Sequence, residues 1–147
     1  MSRDIYWPRA CGNEVMIATW ETDRGLVPMV DPLYQFPFDE RSWMAPAYGT
    51  WYKSGGEMGE QPSAIFKEVQ DLYDQYKATV DGNKQVEIGK QIVRKATENL
   101  FCIGTVGEPP ALTVVKNNFH NVMEKHTSDW IVFTPGTMDP PQFWMEQ

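Results

Sequence analysis

At 147 residues the chain has the length of one domain, enough to bury roughly two thirds of its unfolded surface. A net charge of −7 and no basic run longer than two residues argue against nucleic acid, since phosphate binding needs clustered Lys and Arg. No stretch approaches the ~18 consecutive apolar residues of a membrane-spanning helix, and "MSRDIYWPRACGNEV" lacks the apolar centre of a signal peptide.

In chain order, "SRDIYWPRACGN" predicts the frayed end of a helix, broken by Pro8 and closed around Gly12 and Asn13. The apolar, β-prone run "EVMIATW", residues 14–20, predicts a buried strand. Residues 21–64 carry many Pro and Gly with aromatic rings between them, which predicts short helical turns and loop held together by those rings. "PSAIFKEVQDLYDQYKATV" then predicts a helix opened by Pro62, with Ile65, Phe66, Val69, Leu72, Tyr73, Tyr76 and Val80 on its apolar face. Asp81 is a natural N-cap for a second helix, whose stripe is Val86, Gly89, Ile92, Val93, Ala96 and Leu100. The short turn between the two makes them antiparallel neighbours. Strands are expected near 100–106, at "ALTVVK" (111–116) and at "DWIVF" (129–133), so the fold class is α/β.

Several blocks together resemble one family. "WETD" followed by "DP" is similar to the W-x-x-D … DP segment of extracellular solute-binding proteins of the peptide/nickel class, the receptors of oligopeptide-type ABC importers. The aromatic run "FPFDERSWMAPAYGTWYKSGGEMGEQP" resembles the style of that family's longer members, where a W-x-x-W-Y-x-S/T-G-G … G-E-x-P run precedes a helix pair. "ENLFCIGTVGEPP", "NNFHNV" and the closing "PPQFWM" resemble its return strand and terminal segment, in the same order. The resemblance covers nearly the whole chain but only the C-terminal portion of a family member. It implies part of one lobe of a two-lobed, type II periplasmic-binding-protein-like fold. Residues 1–101 would belong to the second ligand-binding lobe, and 102–147 would form the return strand and C-terminal segment toward the first. It also implies a periplasmic or extracellular location, whereas the residues without it point to the cytoplasm.

The site residues follow from that resemblance. In the family's peptide binders the Asp three residues after the Trp holds the peptide amino group, a role that falls on Asp23, with Trp20 beside it. A carboxylate meets an ammonium group through charge-assisted hydrogen bonds, stronger than neutral ones. Many members have Tyr after this Asp; here Arg24 stands there and a longer loop follows, which changes the local wall. Related oligosaccharide binders stack Trp rings on sugar faces, a use to which Trp43, Trp51 and Tyr52 are equally suited. The expected ligand is therefore a peptide or an oligosaccharide, with an ABC permease as partner of the intact receptor and self-association of this portion through its uncovered faces.

The residues alone also allow plainer roles. Asp23 fits a solvated turn, Trp20 a core position at a strand end, and Trp43, Trp51 and Tyr52 a set of rings knitting the long loop. A stand-alone interaction module with an aromatic loop surface is the second functional reading. No enzyme and no cofactor is expected: His120 and His126 lack metal-ligand spacing, and no nucleophile elbow or phosphate loop occurs. Cys11 and Cys102 are too few for a disulfide scaffold, and one bridge between them is left open.

Overall fold

The computed structural model describes residues 2–21, 27–107, 110, 112–129, 131 and 136–146. The chain divides into two compact units, Met1–Glu21 with Pro28–Ile103, and Thr22–Val27 with Gly104–Gln147. The class is mixed: among the described residues helices predominate, with one short two-stranded sheet.

The first unit holds α1 (Arg3–Cys11), α2 (Pro46–Lys53), α3 (Ala64–Ala78) and α4 (Gly82–Glu98). Pro8 lies inside α1 rather than ending it. Its missing N–H would have faced Asp4 at the start of the helix, so only one bond of a short ladder is lost. The helix closes as expected at Gly12 and Asn13: the Gly12 N–H donates to Pro8 O at 2.8 Å, and Asn13 takes φ 59°.

α3 and α4 form the antiparallel pair. Gln85, early in α4, donates to the carbonyl of Tyr76 near the end of α3, while Lys95, late in α4, pairs with Glu68 early in α3. Asp81 caps α4 by accepting from the N–H groups of Asn83 and Lys84 at 2.9 and 3.1 Å. The core gathers Val69 and Tyr73 of α3, Ile92 of α4, and Met29 and Phe36 of the aromatic segment. Polar groups pin that segment down. Gln70, fully buried, donates to Pro37 O at 2.9 Å, and the Tyr73 hydroxyl donates to Met29 O at 3.1 Å. Of the predicted stripes, Val69, Tyr73, Gly89, Ile92 and Ala96 are buried, but Val80, Val86, Val93 and Leu100 are exposed.

Three strand expectations are overturned among the described residues. No strand forms at 14–20, at 100–106 or at 112–116, and Met16 and Ile17 point into solvent instead of a core. A strand persists only where a neighbour accepts its ladder, and among the described residues none pairs with these runs. The hydroxyl of Tyr6 substitutes at one point, accepting from the Thr19 N–H at 2.7 Å and donating to the Thr19 carbonyl at 3.1 Å. Of the strand expected at 129–133, only Asp129 and Ile131 fall within the described residues.

In the second unit, β1 (Phe119–His120) pairs antiparallel with β2 (Trp144–Met145), with Phe119 opposite Met145 and His120 opposite Trp144. Two asparagines extend this clasp: Asn118 Nδ2 donates to Glu146 O at 2.9 Å, and Asn121 Nδ2 to Gln142 O at 3.0 Å. The "NNFHNV" and "PPQFWM" blocks thus meet each other. Rings reinforce the pairing, with His120 stacked on Trp144 at 4.1 Å and Phe119 edge-on to Phe143 at 5.4 Å.

Candidate functional site

Four large rings from three segments meet in the first unit. Tyr6 and Trp7 come from α1, Trp20 from the end of the 14–20 run, and Trp43 from the turn before α2. Trp20 lies edge-to-face with Trp7 and with Trp43, each at 5.5 Å, and stacks with Tyr6 at 6.1 Å. Trp43 meets Trp7 at 5.0 Å and Tyr6 at 5.4 Å. These are the offset and edge-on arrangements that ring quadrupoles favour.

The cluster is not a closed core. Trp20 keeps 36% of its surface exposed, and Tyr6, Trp7 and Trp43 are half-buried. Arg3, exposed on the first turn of α1, carries its guanidinium over the rings of Trp20 and Trp7, 5.5 and 5.8 Å from their centroids. The indole N–H of Trp43 is buried and faces the sulfur of Cys11. The half-buried Cys11 thiol is its neighbour, and burial pushes that thiol's pKa up. Cys11 and Cys102 are both free thiols.

Two anchors hold the walls of the cluster. The Tyr34 hydroxyl donates to the carbonyl of Glu21 at 3.0 Å, fixing the chain just after Trp20. Just before Trp43 in the chain, the buried carboxylate of Asp39 accepts from both Nε and Nη2 of Arg41, the latter at 2.6 Å, and Arg41 Nη2 reaches Asp31 at 3.2 Å. Hydrogen bonding to Asp39, outweighing burial, raises the Arg41 pKa, so the fork stays charged. Asp31 belongs to the "DP" block and Arg41 to "FDERSW", so this bridge ties two of the aromatic segment's quoted blocks together.

The candidate residues separate. Trp20 and Trp43 come together, 23 residues apart in sequence. Asp23 and Arg24 lie outside the described residues. Trp51 and Tyr52 are on α2, where their neighbours are different. Tyr52 packs on Phe36 and Phe38 and donates its hydroxyl to Asp74 at 2.5 Å, and Trp51 lies against Gly56. The sequence reading left out Tyr6, Trp7 and Arg3. Their signal was present in "RDIYW", where i, i+3 and i+4 spacing puts all three on one side of a helix.

The second unit carries a separate apolar pocket of about 280 Å³, lined by Val115, Phe119, Val122, Met138 and Phe143, with Lys116 among the lining residues. Among the described residues no group of His, Cys, Asp and Glu is arranged to hold a metal ion. No helix among them is long and apolar enough to cross a membrane.

No family model matches the chain, and no curated protein matches it.

Proposed function

We propose that the chain is the C-terminal, ligand-recognising portion of an extracytoplasmic solute-binding protein of the peptide/nickel class, taking peptides or oligosaccharides for an ABC importer. The order of the sequence blocks brings this family forward, and one structural observation carries the role. Trp20 and Trp43, both expected on the ligand wall, share a cluster that stays open to solvent beside a cation. A ring left at the surface costs hydration free energy that burial would have recovered, and such patches mark binding surfaces. Rigid rings also lose little conformational entropy when a ligand lands on them. Asp23, three residues past Trp20, would supply the acceptor for a peptide ammonium group. The chemistry is selective binding, followed in the intact receptor by lobe closure and docking on the permease.

The test is ligand-dependent stabilisation of the intact receptor against panels of peptides and neutral oligosaccharides. A tight ligand at a hundred times its Kd adds about 2.7 kcal/mol and raises the melting temperature accordingly. Trp20→Ala and Asp23→Ala should each weaken binding about tenfold, the loss of one charge-assisted or stacking contact. Asp23→Ala should leave the unliganded melting temperature little changed, whereas Trp20→Ala lowers it as well because its ring packs on Tyr6, Trp7 and Trp43. No shift with any member of either panel, or unchanged affinity in both variants, overturns the reading.

A further inference from the structure

We infer that Arg3, held on the Trp7 and Trp20 rings, is a carboxylate-binding site, so that the ligand of this cluster carries an acidic group next to an apolar or sugar face. The inference rests on the ligand-binding reading above and narrows it. Attraction to ring faces pairs none of a guanidinium's N–H groups with a charged acceptor, and its fork of donors matches the two oxygens of a carboxylate. The Arg3 guanidinium lies over two rings inclined at 72° to each other, which limits the orientations open to its head group and lowers the entropy lost on binding. Elsewhere in the first unit the exposed basic groups are largely spent. Arg9 pairs with Glu14, Arg41 with Asp39 and Asp31, Lys53 with Glu40, and Lys67 with Asp71. Among the described residues Arg3 makes no such carboxylate contact, and its guanidinium lies over the two indoles. The charge balance does not draw anions here, since the chain is at −7 and Asp4 is next in sequence. Selectivity must therefore come from the two-pronged contact over the rings and not from long-range attraction.

Two sources present this chemistry, the C-terminal carboxylate of a peptide and the uronate of an acidic oligosaccharide. The experiment follows the indole N–H resonances of Trp7 and Trp20 in the 147-residue chain during titration with matched pairs at millimolar concentration. One pair is trialanine and its C-terminal amide; the other is trigalacturonate and its neutral trimethyl ester. The acidic member of at least one pair should act at about one tenth the concentration of its neutral twin, as expected for hydrogen bonds to a charged group. Which pair responds identifies the source. In Arg3→Gln the ratio within that pair should fall to about one, and Arg3→Lys, which keeps the charge but not the fork, should restore only part of it. Equal response within both pairs removes Arg3 from the site and leaves ligand binding standing. A preserved acid preference in Arg3→Gln, full recovery in Arg3→Lys, or no response to any probe would each overturn the inference.

Discussion

A methyl group at position 49 would sit 2.1 Å from the carbonyl oxygen of Asp39 and 2.8 Å from its nitrogen, far inside contact distance. The approach matters because Asp39 is the buried end of the Arg41 bridge, and the Ser42 hydroxyl accepts from the Phe38 N–H at 2.9 Å in the same turn. Backbone on backbone is what only glycine permits, and neither partner is a flexible tip that could swing aside. Gly49→Ala should therefore destabilise the first unit by about 3 kcal/mol, as overpacking in a tight core does, seen as a lower urea midpoint with an unchanged slope. A midpoint within error of the parent would show that the turn and α2 can separate freely. Nothing in "PAYGTWY" announces this contact, because it is made to a residue ten positions upstream. The same limit hid the cluster at Arg3, Tyr6 and Trp7: each residue's helical spacing was legible, but its meeting with Trp20 and Trp43 depends on how three segments fold back.

At the level of elements, α2 is strapped to α3 by the Tyr52 hydroxyl, which donates to Asp74 while accepting from Lys77 at 3.0 Å. Lys77 also pairs with Asp74 at 2.9 Å and lies over the rings of Tyr52 and Tyr73. Partial burial alone would push the Asp74 pKa up; the hydrogen bonds from Tyr52 and Lys77 outweigh it and hold the carboxyl below its ordinary 3.8. A depressed aspartate contributes stability at pH values above its unfolded pKa, and that contribution disappears as pH falls through the folded value. Asp74→Asn should accordingly melt below the parent at pH 7, with the gap closing below about pH 4. Asp74 is half exposed, so the gap corresponds to less than about 1 kcal/mol. A gap that stays constant from pH 7 to pH 3 would mean that charge on Asp74 plays no part. The helix pair itself was readable because helical hydrogen bonds close within four residues and the apolar period is local. Strands are not local in this sense. "EVMIATW" has a strand's composition, but its ladder needs a neighbour, and among the described residues none pairs with it, so the composition was right about β propensity and wrong about the outcome.

At the level of the whole molecule, the side chains assigned to the core that remained outside form a pattern. Val86 and Val93 are seven residues apart, so they line one flank of α4 beside the buried Gly89, Ile92 and Ala96, and they are 55% and 41% exposed; Leu100, past the end of the helix, is 68% exposed. Met16, Ile17, Ile103, Leu112 and Val114 are at least as open. Apolar surface on this scale is expected to find cover, and other copies of the chain are the cover available in a pure solution. The charge of −7 opposes that meeting through repulsion reaching about 10 Å at 0.1 M salt, so added salt should strengthen association where an ion-paired contact would weaken. Sedimentation velocity should show a coefficient that rises with protein concentration and rises again with salt. Val86→Glu combined with Val93→Glu, on a solvent-facing flank where folding is little affected, should bring the chain back toward monomer at every concentration if the α4 line is the contact. A parent protein that sediments as one monomeric species across the range would show that these side chains stand in water uncovered.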